Sequence, residues 1–215
     1  MKIVSVNVGL PREVLWQGKK VRTGIFKEPV AGRVIICPLN LDGDGQADLS
    51  VHGGPDKAVY GYPSEHYSYW RTELPGVDLP FGKFGENLTT EGLMEDKLYI
   101  GDRFRVGEAE LKVTQPRSPC YKLGIKFGRA DMIKRFLDSR RTGVYFGVVH
   151  NGTVGAGDVI ELISREQEEV SVADITRLYA FNKGDLKGLR RAIEVEALPE
   201  NWKGYFQHQL EKQIG

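Results

Sequence analysis

At 215 residues the chain can bury a core without staples, and it suits one domain with an appendage or two small domains. Thirty basic against 29 acidic residues leave a formal charge of +1, which removes the electrostatic case for a dedicated nucleic-acid binder. Only two cysteines, Cys37 and Cys120, exclude a disulfide framework or a four-thiolate zinc or iron–sulfur site within one chain; with no apolar leader and no bilayer-length apolar window, they point to a reducing cytoplasmic setting and no membrane partner.

Twenty-six glycines and ten prolines imply many tight turns and favour β architecture. Short β-branched runs separated by turn signals predict strands at Lys2 to Val8, Val14 to Val21, Gly32 to Leu41, Lys97 to Ile100, Arg103 to Val106, Ala109 to Gln115, Gly143 to His150 and Asp158 to Ser164. Gly107-Glu108 is expected to close one hairpin, and Asn151-Gly152 a second through a type I′ turn. Helices are expected from Glu65 to Leu74, capped by Ser64, and from Ala130 to Ser139. A charged joint at Glu166-Gln167-Glu168-Glu169 suggests a boundary, giving a β domain over 1–167 and a helical extension over 168–215. Three amphipathic helices fit that extension: Val172 to Phe181, introduced by Ser171 with Asp174 at N3, then Asp185 to Ala197 and Asn201 to Ile214. Arg177, Lys183, Lys187, Arg190 and Arg191 could suggest a DNA-reading face, but nearby glutamates dilute the charge and a solvated face is the plainer reading.

Four segments carry more chemistry than a simple β domain needs. In Gln115-Pro116-Arg117-Ser118-Pro119-Cys120-Tyr121-Lys122 two prolines restrict the backbone around one thiol, and two cations flank it. Cations favour the thiolate, the form that ligates metals or attacks electrophiles; a buried small hydrophobe is the plain alternative. In Val51-His52-Gly53-Gly54-Pro55-Asp56-Lys57 adjacent glycines let backbone amides approach an anion beside Lys57, and His52 could move a proton. Phe84-Gly85-Glu86-Asn87-Leu88-Thr89 offers an amide and a hydroxyl, and Arg22-Thr23-Gly24-Ile25-Phe26-Lys27 a hydroxyl between two cations. Asp42, Asp44, Asp48 and Asp56 lack the EF-hand pattern and read as turn formers and buried acceptors. A hydrolase dyad of Cys120 with His52 or His150 stays open at this point.

Taken in order, Thr23-Gly24-Ile25-Phe26-Lys27, Gly43-Asp44-Gly45-Gln46-Ala47-Asp48, Val51-His52-Gly53-Gly54, Phe84-Gly85-Glu86-Asn87-Leu88 and the Cys120 segment resemble the molybdenum cofactor sulfurase C-terminal (MOSC) domain, nearest to its compact YiiM branch. The resemblance runs from the first strand to about residue 165, and a small helical extension also belongs to that branch.

The resemblance implies mixed α/β content, with a β-barrel-like domain whose pocket holds the molybdenum cofactor in its molybdopterin form, rather than pyridoxal phosphate, the nucleotide form being left open. Cys120 matches the metal-ligating cysteine, and soft thiolate sulfur suits such a metal. Similar proteins reduce N-hydroxylated compounds, hydroxylaminopurines and amidoximes among them, taking up two electrons and two protons and releasing water. On this reading Arg22, Thr23, Lys57, Arg117 and Lys122 hold the cofactor phosphate, Asn87 with the Gly53-Gly54 backbone meets the pterin edge, and His52 delivers protons. Relatives often carry arginine where Gly147 stands, and Arg141 is a candidate replacement. The chain has neither its own iron–sulfur ligands nor a dinucleotide fingerprint, so an external reductase is the expected electron source, with the C-terminal helices either its docking surface or a lid on the barrel. The alternative is a cofactor or sulfur carrier without turnover.

Overall fold

The computed structural model describes residues 1–48 and 53–214. The strands are β1 (Lys2–Val8), β2 (Arg12–Trp16), β3 (Lys19–Thr23), β4 (Glu28–Pro29), β5 (Arg33–Ile36), β6 (Val59–Pro63), β7 (Leu88–Glu91), β8 (Arg103–Val106), β9 (Ala109–Pro116), β10 (Val144–His150), β11 (Gly152–Gly155) and β12 (Ile160–Ser164). The helices are α1 (Glu65–Glu73), α2 (Tyr121–Phe127), α3 (Met132–Asp138), α4 (Val172–Ala180), α5 (Leu186–Glu194) and α6 (Glu200–Ile214), with a 3-10 turn at Pro55–Lys57.

Eight strands form one mixed sheet in the order β12-β8-β9-β10-β6-β7-β1-β4, and β11-β5 and β2-β3 pair separately. Only β6 and β7 run parallel among the described pairs. The sheet curls until Ile3 N donates to Asp158 O at 2.9 Å and Ile160 N to Met1 O at 2.8 Å, around an isolated Lys2–Val159 bridge. The expected β-barrel-like domain is therefore a curled mixed sheet whose continuous ladders stop short of a closed barrel among the described residues.

Several expected elements resolve differently. The run Val14 to Val21 is a hairpin, because Gln17 and Gly18 take φ of 49° and 77°, the pair of positive values a type I′ turn requires. The strand expected over Gly32 to Leu41 ends at Ile36; Cys37 N turns back to Asn40 O at 2.8 Å beside Pro38. Lys97 to Ile100 is a turn, with Tyr99 N donating to Asp102 Oδ2 at 3.0 Å. Asn151-Gly152 closes no hairpin: β10 pairs with β9 and β6, whereas β11 pairs with β5. Gly152 is glycine for another reason, since a Cβ there would sit 2.3 Å from the Glu108 carbonyl carbon. Gly107, at φ 56°, does close the β8-β9 hairpin. Ser64 lies in helical conformation and makes no side-chain cap to α1.

One apolar cluster joins the sheet to the C-terminal helices, packing Phe104, Leu111 and Val113 with Val172, Ile175, Leu178, Trp202 and Phe206. The predicted capping box at the start of α4 is formed, with Ser171 and Asp174 each satisfying the other's backbone N–H. Asp185 caps α5 by accepting from Gly188 N at 2.9 Å. A second, largely aromatic cluster of Tyr60, Tyr62, Tyr67, Trp70, Phe84 and Phe136 packs β6, α1 and α3 together. This second cluster forms the floor on which the candidate site stands.

Candidate functional site

A cavity opens where β3, β6 and β10 meet the loops after β3, before β7 and after β9. Thr23, Lys27, Lys57, Asn87, Arg117, Cys120, Lys122 and Tyr145 all face it. The sequence places Cys120 at the first position before α2, with φ −123° and ψ 171°, and its side chain makes no cap to the helix. Leu123 N donates to Cys120 O at 3.0 Å, which fixes the backbone under the thiol. The thiol is thus presented to the cavity instead of being spent on the helix end.

Arg117 is 7 % exposed and lies over the Tyr60 ring at 4.7 Å and the Phe136 ring at 5.6 Å. Its Nη1 donates to the Phe84 carbonyl, which ties the Cys120 segment to the loop that carries Asn87. Burial works against the Arg117 charge, yet its pKa lies above the ordinary arginine value, so the guanidinium stays cationic. Burial likewise pushes the Tyr60 and Tyr145 phenols upward and keeps both neutral. Lys122 is 8 % exposed, faces the same cavity, and pairs with no acid among the described residues. Its ammonium reaches the cavity with no carboxylate beside it among the described residues, an arrangement that suits an incoming anion.

Lys27 is a cavity residue that sequence reasoning quoted in a motif but gave no role. It is buried and ion-paired to Asp44, one of the aspartates read as a buried acceptor. Burial pushes the Lys27 pKa down, with the Asp44 carboxylate opposing that shift. Asp44 also accepts from Gly9 N at 3.0 Å and from Asn87 Nδ2 at 2.9 Å. Asn87 Oδ1 in turn accepts from Tyr60 N at 3.1 Å, so most of its amide capacity braces the cavity wall. The Thr23 hydroxyl accepts from Ile25 N at 3.2 Å and shapes the same loop. Tyr60 and Tyr145 were also missed; aromatic residues on buried strands look like core, and only the register of β6 with β10 sets their rings 5.1 Å apart at the cavity.

Other predicted residues lie elsewhere. Arg22 is exposed on β3 and does not line the cavity; alternation along the strand turns Thr23 inward and Arg22 outward. Gly53 and Gly54 lead into the 3-10 turn without lining the cavity, and His52 falls outside the described residues. His150 contacts Glu110 at 3.2 Å on the surface and His66 is buried against Glu95, so no described histidine lines the Cys120 cavity and the His150 dyad is withdrawn. Arg141 stacks on Tyr69 at 3.9 Å and does not stand in for the arginine absent at 147. At Gly147 a Cβ would lie 3.0 Å from Pro55 O, so glycine lets the Pro55–Lys57 turn pack against β10 and carry Lys57 to the cavity.

A second cleft meets the first at Lys57, Cys120 and Tyr145. Its far wall is made by Tyr179 of α4 and by Asn201, Trp202 and Tyr205 of α6. Helices α4 and α6 therefore line a cleft that Cys120 also lines.

A curled β domain that presents one thiol among cations, with two of its three C-terminal helices walling the adjoining cleft, defines a cofactor-cavity protein with a helical appendage. The chain belongs to the MOSC family: the MOSC domain matches residues 48–161, and the YiiM-like 3-alpha helix domain matches residues 170–213. The MOSC domain is associated with binding of the molybdenum cofactor. YflK of Bacillus subtilis is 43 % identical over 204 residues, covering 95 % of this chain and 92 % of that protein. YiiM of Escherichia coli is 39 % identical over 182 residues, covering 84 % and 81 %. A Gibberella moniliformis protein named Reductase is 34 % identical over 164 residues, covering 75 % of this chain but 29 % of that one. The crystal structure of YiiM from Geobacillus stearothermophilus superposes with a TM-score of 0.81 at 33 % identity, covering 97 % of this chain and 98 % of that one. No helix among the described residues is long and apolar enough to cross a membrane.

Proposed function

We propose that this chain is a molybdenum-cofactor-dependent reductase of N-hydroxylated compounds, hydroxylaminopurines and amidoximes, with Cys120 as the protein ligand to molybdenum. The observation that carries the reading is one cavity faced by a thiol that does not cap its helix and by Lys122, a cation without an acidic partner among the described residues. The residues present fit the group: a soft thiolate suits a metal held by sulfur, and Lys122, with Lys57 and Arg117 close by, suits a phosphate. Among the described residues no three His, Cys, Asp or Glu side chains gather to hold a metal ion by themselves. When bound, that cofactor supplies the two-electron chemistry. The chain's own residues anchor it by charge, orient it through Cys120, and exclude water with the Tyr60, Phe84 and Phe136 floor.

Electrons come from an external reductase, and the 168–215 segment acts as an extension of the β domain. The relative named a reductase supports turnover. So does the second cleft: a carrier needs only the cofactor cavity, whereas an enzyme needs separate access for substrate to the same thiol. The test is a single-turnover assay of a hydroxylaminopurine with a chemical reductant, comparing cofactor-loaded wild type with Lys122→Met. The proposal expects reduction by the wild type, and loss of cofactor and rate together in the variant. Cofactor binding without any turnover would favour the carrier.

A further inference from the structure

Three cations from three separate segments gather around Phe26 and Phe127, outside both cavities. The Arg12 guanidinium, on β2, lies 4.1 Å from the Phe26 ring centroid, and Lys126 Nζ, on α2, lies 4.9 Å from the same centroid. Lys83, in the loop before β7, holds its Nζ 5.1 Å from the centroid of Phe127. Contacts with ring faces fix where these charges stand. Lys126 Nζ also donates to Lys27 O at 3.4 Å, which ties the group to the segment that carries Phe26. None of the three cations forms an ion pair with an acid among the described residues. Lys83 and Lys126 are half-buried, unlike Lys187 on α5, which stands exposed in solvent. Burial lowers the Lys126 pKa from 10.5 to about 8, with Lys83 and Arg12 adding to the shift and Glu86 and Glu28 opposing it. Like charges held together without a counter-ion repel one another, and a bound anion relieves that repulsion.

We infer that Arg12, Lys83 and Lys126 form an anion site for a phosphate group, separate from the cavity at Cys120. A phosphate ester carries about −1.5 to −2 charges at neutral pH and several acceptor oxygens, whereas a carboxylate carries one charge, so the phosphate is the better match to three cations. The two ammonium groups offer three donors each in any direction, and the guanidinium adds a planar fork. The site does not depend on the function proposed above, because none of its three cations lines the Cys120 cavity. Its one link to that cavity is Lys27, whose carbonyl accepts from Lys126 and whose side chain is paired with Asp44.

The test is lysine footprinting of the full-length chain at about pH 8 with limiting acetic anhydride, read residue by residue by mass spectrometry. Inorganic phosphate, glycerol phosphate and sodium chloride are compared at matched ionic strength. Lys126 and Lys83 are expected to label severalfold more slowly with phosphate than with chloride, while Lys187 labels equally throughout. Protection by glycerol phosphate admits phosphate esters, protection by inorganic phosphate alone restricts the site to the free ion, and protection by neither overturns it. Arg12→Gln, at an exposed position, should cut the protection of Lys126 severalfold, and Lys83→Gln should do the same. Thermal melts confirm that both variants fold; undiminished protection of Lys126 in both overturns the shared site. Lys122 is read in the same digest as the reporter of the Cys120 cavity, so an anion bound there is told apart from one bound at Lys126.

Discussion

Asp44 and Lys27 form an ion pair buried at the cavity wall, the Asp44 side chain fully inaccessible and that of Lys27 9 % exposed. The same carboxylate holds Asn87 and the Gly9 backbone, so one acidic group fixes three segments around the cavity. Removing one member of such a pair leaves the other charge buried alone. Asp44→Asn is expected to cost about 3–5 kcal/mol, read as a lower urea midpoint. Lys27→Met combined with Asp44→Asn should recover much of that loss, and a double variant no more stable than Asp44→Asn would show that the pair is not the cause.

Lys122 and Arg22 make a matched contrast, since sequence reasoning gave both the same phosphate-binding role. Lys122 is buried in the cavity and Arg22 is exposed outside it. Lys122→Met should weaken pyrophosphate binding by about ten- to a hundredfold, in line with one charge-assisted hydrogen bond of roughly 1.5–3 kcal/mol, while Arg22→Ala leaves it unchanged. Titration calorimetry at two salt concentrations reads both; equal losses in the two variants would remove the distinction.

Gly147 tests how tightly β10 meets the Pro55–Lys57 turn. The added methyl of Gly147→Ala would stand 3.0 Å from Pro55 O. Overpacking of this kind costs about 1–3 kcal/mol. A lower melting temperature together with weaker cofactor retention is expected, because the same turn carries Lys57 to the cavity; an unchanged melt would show that the turn gives way freely.

The proton balance of Lys126 predicts a pH dependence of stability. Burial, with Lys83 and Arg12 nearby and Glu86 and Glu28 opposing, lowers its pKa from 10.5 to about 8. The unfolded chain then holds that proton more tightly than the folded one. Its destabilising contribution should be constant below about pH 8 and should fade, so that stability rises, as pH climbs from about 8 towards 10.5. Urea midpoints measured across that window should rise in the wild type and rise less in Lys126→Gln; parallel curves would contradict the assignment.

Much of the cavity was legible as sequence because its residues sit in short motifs with distinctive glycine, proline and charge content. Cys120, Arg117, Lys122, Lys57, Asn87 and Thr23 were all named from those motifs and meet at one cavity. What was missed follows from tertiary register. Every residue of β6 is buried, so its sequence shows no alternation to mark it as a strand, and Tyr60 and Tyr145 come together only through the pairing of β6 with β10. Helix α2 escaped notice because Gly124 interrupts its pattern; that glycine is needed where a Cβ would meet Arg129 O at 3.0 Å. The Asn151-Gly152 signal misled because close packing against Glu108, and not positive φ, demands the glycine.

The central claim is that Cys120 holds molybdenum for catalysis. Its most direct test is the molybdenum and pterin content of wild type and Cys120→Ser, purified anaerobically from a host that makes the cofactor and assayed with a hydroxylaminopurine and a chemical reductant. The account predicts metal, pterin and reduction in the wild type, and a folded Cys120→Ser protein lacking both metal and activity. A Cys120→Ser protein with wild-type molybdenum content and wild-type reduction would contradict it.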